Sequence, residues 1–508
     1  MNTASIVTVR AGAREWVALV VLTLAVVLLA VDATVLALAV PALTEALQPT
    51  AVEILWIGDI YSFAIAALLV TMGNVADRVG RKRLLMIGAV AFGLASVLGA
   101  FAASSAVLIA ARALLGVAGA TIMPSTLAII RDMFRDDRQR TQAIAVWSVG
   151  FTVGSAAGPL IGGALLEHFW WGSVFLINVP VMILVVGLGV FLLPESRNPR
   201  PGPIDLWSAA LSILAIVPVV YGIKHVAKGD LGVLTFAGFA VGIAAGWAFV
   251  RRQRRLAHPL VDVGLFRNPA FSGAIAANVV SIFAAAGLLF FFSQYLQLVR
   301  RFSPLQAGIG ELPMAIGAVA VVGVVAFLVG RWGRGNAMAA GLLAMAVGLG
   351  ALVAAEGLPG YVWLALALVV IGIGMGLAGA VATDAVVGAV PRERAGAASS
   401  ISEMGIELGV ALGIAVLGSL HTAIYRAALV LPDGMPGAVR AAAGESLPQL
   451  ADAAHRAGGA DVALEAGREA FTVAMQSATG IAAVLTAVAA FIAWRFVPST
   501  RGAAPVAH

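Results

Sequence analysis

The sequence predicts an all-α polytopic membrane protein with about fourteen transmembrane helices. Three observations carry this. The 508 residues are 61% hydrophobic with only 11% charged side chains, against roughly 25% charged in soluble domains. The mean hydropathy is +0.99. Apolar runs long enough to cross a bilayer recur along the chain, and only helices satisfy the backbone of such runs in lipid.

The runs lie at 16–40, 54–73, 84–103, 106–130, 141–166 and 172–193, then 206–226 and 231–250, then 270–298, 305–329, 337–355, 361–389, 397–422 and 471–496. The first follows Arg10 and Arg14 as a signal peptide would, but it is too long for one and carries Asp32, so it is expected to be an uncleaved helix. With the N-terminus inside, the inner loops hold Arg78, Arg81, Lys82 and Arg83, then Arg131, Arg135, Arg138 and Arg140, and four further Arg groups from Arg197 to Arg394. Short outer loops hold only Lys224, Lys228, Arg300 and Arg301. Positive charge marks the cytoplasmic side, so both termini are expected there. The mixed-charge segment 424–470 is placed outside, with some helix in 436–470.

Several classes are excluded. A pI near 10.1 could suggest nucleic acid, but the basic residues sit in short loops and set orientation instead. No Cys is present, which removes disulfides and Cys-ligated metals. The six His show no metal spacing. No Gly-x4-Gly-Lys-Ser/Thr motif exists, so no ATP-driven engine is expected. The Gly-x-Gly-x-x-Gly at Gly374, Gly376 and Gly379 lies inside an apolar span and is a packing face. Scarce Lys beside abundant Arg, Ala and Gly fits a GC-rich bacterial genome.

Between the second and third runs stands GNVADRVGRKR, from Gly73 through Asp77, Arg78, Gly80 and Arg81 to Arg83. This pattern resembles the signature loop of the major facilitator superfamily at each defining position. The resemblance implies two six-helix bundles around a midplane site. A weaker echo at Gly330, Gly333 and Arg334 falls at the equivalent place in the second half. The expected layout is a cytoplasmic N-terminus (1–15), a first bundle (16–193), a linker and inserted two-helix hairpin (194–268), a second bundle (269–497) that includes loop 424–470, and a cytoplasmic tail (498–508). The linker is marked by prolines from Pro194 to Pro203. Asp77 is expected to act as a latch at the start of the thirteenth helix, near Ala395 to Ser399, with Arg392 or Arg394 as its partner.

The fifth span carries Gly154, Gly158, Pro159, Gly162 and Gly163. The full pattern resembles the superfamily's antiporter motif, while glycines four apart alone would also make an ordinary tight helix contact. The first span reads LAVDATVLALAVP, from Leu29 through Asp32 and Thr34 to Pro41. It resembles the motif of fourteen-helix drug:proton antiporters, the QacA-like group. Arg112 with Gly116, Asp59 after Trp56, and Glu403 with Glu407 also look like family motifs. The resemblance implies export of lipophilic cations, such as quaternary ammonium compounds, dyes and cationic antibiotics, driven by the proton gradient without a cofactor. It implies an inner-membrane protein working as a monomer in the lipid bilayer, with no nucleic-acid partner. Some relatives carry an acid where this chain has Ala318, which places dication export in doubt. Two rivals stand: a same-fold exporter of a metabolite or self-made antibiotic, and a polytopic membrane enzyme or sensor, for which no catalytic constellation is found.

The residues support exchange independently. Charges in hydrocarbon are costly and mark function. Arg112 reads as the sole basic side chain deep in a span, beside the acids Asp32, Asp59, Glu311, Asp384, Glu403 and Glu407. Burial disfavours the charged carboxylate and an arriving cation favours it, so proton and cation compete for one group. Asp32, Asp59, Glu311, Glu403 and Glu407 are therefore the candidates for proton coupling and cation binding. Glu403 and Glu407, four apart, share a helix face. Asp59, near a span end, also fits a solvated or structural carboxylate, and Asp384 fits a structural one. Tyr61, Trp147, Phe151, Phe290 and Tyr295 are candidates to stack on flat cations.

Overall fold

A computed structural model describes residues 11–198, 205–257, 259–391, 394–432, 435–457 and 461–499. Every apolar run became helix. The first half contains α1 (Ala13–Leu47), α2 (Ala51–Val79), α3 (Arg81–Ala100), α4 (Ser105–Met133), α5 (Asp137–His168) and a sixth span broken into α6 (Ser173–Leu176) and α7 (Asn178–Leu192). The inserted hairpin is α8 (Leu206–Lys228) and α9 (Val233–Gln253). The second half contains α10 (Pro269–Gln294), α11 (Pro304–Ala320), α12 (Val322–Trp332), α13 (Arg334–Glu356), α14 (Val362–Gly388) and α15 (Ala395–Ala428), then the short α16 (Gly437–Glu445) and α17 (Leu447–Ala457), and finally α18 (Asp461–Phe496). Among the described residues, 13 helices are long and apolar enough to span, or 14 when α11 and α12, bent by 46°, count as one.

Local chemistry sets the ends. Thr50 caps α2 in a capping box with Glu53, and Ser303 does the same for α11 with Gln306, ahead of Pro304. Large apolar side chains such as Leu94, Phe191, Trp207 and Phe327 stay exposed. That outward face is what a lipid-embedded bundle requires.

The halves meet along two seams, α2 with α15 and α5 with α11. The glycines of α5 make the close approaches. A Cβ on Gly154 would lie 2.6 Å from the Val27 carbonyl oxygen of α1, and one on Gly158 1.9 Å from Thr34 Oγ1. Gly162 presses on Val35, and Gly163 and Pro159 meet Pro304 and Gly308 of α11 across the seam. The motif thus joins α5 to α1 and to the opposite half. Gly154→Val is expected to force α1 and α5 apart and to destabilise by about 1–3 kcal/mol, read as a lowered melting temperature in detergent with loss of transport.

The signature loop is braced by the chain leaving the sixth span. Gly80 has φ 120°, a conformation only glycine adopts freely, and a Cβ there would lie 2.7 Å from Glu195 Oε1. Arg81 N–H donates to the Ser196 carbonyl at 3.0 Å, and Asn198 N–H to the Asp77 carbonyl at 3.1 Å. The echo repeats this geometry. Gly333 has φ 78°, and a Cβ there would strike the Ser499 carbonyl. Arg81 pairs with Asp132, 51 positions on, and Arg334 pairs with Asp384, 50 positions on, at 2.6 Å. Asp384 is therefore the second-half counterpart of Asp132.

Candidate functional site: a one-sided cavity and its carboxylates

A cavity of about 460 Å³ opens on the face that bears the signature loop. It lies between Gly73, Asn74, Asp77, Met123 and Trp147 of the first half and Thr383, Ser399, Ser402 and Glu403 of the second. Trp147 is fixed by its indole N–H, which donates to Thr126 Oγ1 at 3.2 Å. Apart from a pocket of about 380 Å³ between Pro41, Glu45, Gln297 and Pro448, the halves are packed together on the opposite face. There the rings of Phe291 and His421 stack at 4.2 Å, with Phe471 4.5 Å from His421. Helices α16 and α17 cover them and tie down to the first half. Gln449 Nε2 donates to the Pro49 carbonyl at 2.6 Å, and Gln48 Nε2 to Asp452 Oδ2 at 2.8 Å.

In this open arrangement the expected latch is not made. Asp77 pairs with Arg81 at 2.8 Å, and Arg394 pairs with Asp262 at 3.2 Å. The reason is the cavity itself, which separates Asp77 from the start of α15. Arg392 lies outside the described residues. Arg78 is exposed.

Inside the first half, Asp32 is fully buried and its Oδ2 lies 2.7 Å from Arg112 Nη1. Asn178 Nδ2 donates to Asp32 Oδ1 at 2.8 Å and to Ser96 Oγ at 3.1 Å. Arg112 Nε also donates to the Ile57 carbonyl at 3.3 Å, and its guanidinium lies 4.5 Å from the centre of the Tyr61 ring. Tyr61 belongs to α2, the helix that packs against α15 of the second half. Asn178 and Ser96 escaped the sequence reading. The lone amide within the apolar run 172–193 was the available signal.

Arg112 is not the sole basic side chain deep in a span. Lys224, expected in an outer loop, lies within α8, which continues to Lys228 before Gly229 caps it at φ 84°. Its ammonium is fully buried, 2.7 Å from Asp59 Oδ2. Asp59 is accordingly fully buried and not solvated.

The second-half acids differ. Glu311 is buried and accepts a hydrogen bond from Ser293. Glu403 and Glu407 are half-buried on α15, with Ser62 of α2 facing Glu407. Among the described residues none of the three has a basic side chain within ion-pair distance. Glu356, which sequence reasoning missed, is also buried and receives the Thr479 hydroxyl at 3.2 Å.

Of the aromatic candidates only Trp147 lines the cavity. Phe151 is half-buried, packed against the core beyond it. Phe290 wedges against Gly58, where a Cβ would lie 2.7 Å from its ring. Tyr295 is buried away from the cavity, its hydroxyl donating to the Glu356 carbonyl at 2.6 Å. Both departures have one cause, the packing of large rings where helices meet.

A family model described as Major Facilitator Superfamily matches residues 22–414. The chain belongs to that superfamily. It is a multi-pass membrane transporter and not an enzyme. It is similar to the multidrug efflux pump LfrA of Mycolicibacterium smegmatis, 44% identical over 96% of this chain and 97% of that protein. It is also similar to the methyl viologen resistance protein SmvA of Salmonella typhimurium, 36% identical over 92% and 95%, and to the tetracenomycin C resistance and export protein of Streptomyces glaucescens, 32% identical over 83% and 78%. Among solved structures, an inward-facing bacterial homologue of the lysosomal transporter Spinster superposes with a TM-score of 0.68 at 18% identity, covering 96% of this chain and 98% of that one. A peptide transporter bound to sulfate gives 0.65 at 17% identity, covering 94% of each.

Proposed function

We propose that this transporter exports lipophilic cations in exchange for protons across a bacterial inner membrane, as a monomer with both termini in the cytoplasm. The observation that carries this reading is the pair Glu403 and Glu407, two carboxylates one turn apart on α15 without a basic partner among the described residues. Glu403 opens onto the cavity beside Trp147. A flat cation held there gains the charge of the carboxylate and the face of the ring. A proton at the same carboxylate removes the first of these, which is competition in its simplest form. Asp32 supplies a second exchangeable group, because Arg112 keeps the Ile57 carbonyl and the Tyr61 ring when Asp32 is neutral. The relatives LfrA, a multidrug efflux pump, and SmvA, a methyl viologen resistance protein, support the same reading. The export protein for tetracenomycin C supports a single-antibiotic exporter as the second reading.

Competition is tested by adding ethidium to the purified protein in weakly buffered detergent. On the order of one proton should be released per dye bound, because the cation favours the charged carboxylate. Binding with no proton release would remove competition as the mechanism.

The conformational cycle is rocking of the halves about the seams, with the cavity face closing when Asp77 meets the start of α15. Asp77→Asn is expected to favour the open state seen here. Ethidium binding in detergent should then survive while efflux falls. Equal loss of both would point to misfolding instead.

A further inference from the structure

The inserted hairpin stands at the α2–α15 seam. Its α8 packs against α2 of the first half and α15 of the second. When the halves rock, that seam must change, so the hairpin has to part from one of them. The two contacts differ in kind. Toward α15, apart from one exposed hydrogen bond at the helix end, Arg426 Nη1 to the Lys228 carbonyl at 3.5 Å, Val220 and Ile216 of α8 share an apolar cluster with Ala411, Leu412 and Ala415. Lipid tails replace such small apolar contacts at little cost. Toward α2, Lys224 Nζ lies 2.7 Å from Asp59 Oδ2 and 3.6 Å from the centre of the Trp56 ring. Both charges are fully buried, and among the described residues neither makes an ion pair with any other side chain. Separating them would leave two bare charges in hydrocarbon.

We propose that Lys224 and Asp59 are positioning residues that fasten the inserted hairpin to the first half, so that the hairpin travels with that half, and that Asp59 serves as the counter-ion of Lys224 and carries no transported proton. The contrast with Asp32 is structural. Arg112 has the Ile57 carbonyl as a second acceptor, whereas Lys224 donates to Asp59 alone among the described residues. This inference rests on the rocking cycle proposed above.

The chain has no cysteine, so introduced pairs can be spin-labelled cleanly. Labels at Leu98→Cys and Leu234→Cys report hairpin to first half; labels at Leu234→Cys and Val362→Cys report hairpin to second half. All three positions are exposed. Between acidic and alkaline conditions, the first distance should hold one narrow peak and the second should shift. In Lys224→Met the first distribution should broaden and dye efflux should fall by about tenfold or more, because an unpaired carboxylate is left buried. Asp59→Asn should lose efflux similarly. D59N/K224Q replaces the ion pair with a neutral hydrogen bond, and should return efflux to within about threefold of the original with the narrow peak restored. A hairpin that keeps its distance to the second half while moving against the first overturns the proposal. So does a folded D59N/K224Q protein as inactive as Asp59→Asn. Absence of proton-driven efflux in the unmodified protein would instead refute the exchange reading, and the distances would still decide the fastening.

Discussion

Replacing Asp32 by Asn is expected to abolish proton-coupled efflux and to lower stability together. The Asp32–Arg112 pair is buried to 0% and 1% exposure, and removing one partner of such a pair costs about 3–5 kcal/mol. Asn retains the shape and the contact with Asn178, so the loss comes from a guanidinium left without its carboxylate and held only by the Ile57 carbonyl and the Tyr61 ring. The two effects separate in the double variant Asp32→Asn/Arg112→Gln. Its melting temperature in detergent should recover most of the loss, because no unpaired charge remains, while efflux stays absent because the exchangeable group is gone. A double variant that regains efflux would reduce Asp32 to a structural role. This is the opposite of the result expected for Asp59 with Lys224, so the same experiment on the two buried pairs tells a coupling carboxylate from a fastening one.

Neutralising the α15 acids should discriminate by substrate charge. A cation about 4 Å from a carboxylate gains about 4 kcal/mol at an effective dielectric near 20, and desolvation of both groups offsets much of that gain. The net expectation for Glu403→Gln is a loss of about tenfold or more in apparent affinity for ethidium, with little change for a neutral dye of similar size. Glu407→Gln should act in the same direction, one turn deeper. Equal losses for neutral and cationic dyes would show that the two side chains shape the cavity and do not recognise charge. The readout is concentration-dependent efflux in cells with matched protein levels.

The spans were legible because hydrocarbon leaves the chain no alternative to helix, and each apolar run became one. Gly80 was legible as part of a motif, and the structure adds its cause in φ 120° against Glu195. What the sequence hid was partnership. Asp32 and Arg112 stood out as buried charges, but nothing in their spacing of 80 positions joined them. Asp59 and Lys224, 165 apart, were harder still, because a Lys near the end of an apolar run reads as a boundary marker. Long side chains at span ends ordinarily reach for water, and here the helix simply runs on. The latch was a statement about a closed state, whereas this structure is open on that face. Phe290 and Tyr295 were misplaced for a different reason. Aromatic spacing does not say whether a ring faces a cavity or a neighbouring helix.

The central claim is that proton movement drives cation export. It is tested by everted vesicles or oriented proteoliposomes holding the purified protein, with ethidium outside and an imposed pH gradient, acid in the lumen. One pH unit supplies about 1.36 kcal/mol per proton, enough for about tenfold accumulation of a monocation at one proton per dye. The account predicts that dye accumulates in the lumen, that accumulation grows with the gradient and that it collapses when an ionophore dissipates it. An imposed potential, positive in the lumen, would add to the drive only if more than one proton moves per monocation. Dye transport that ignores the pH gradient and persists after its collapse would contradict the account.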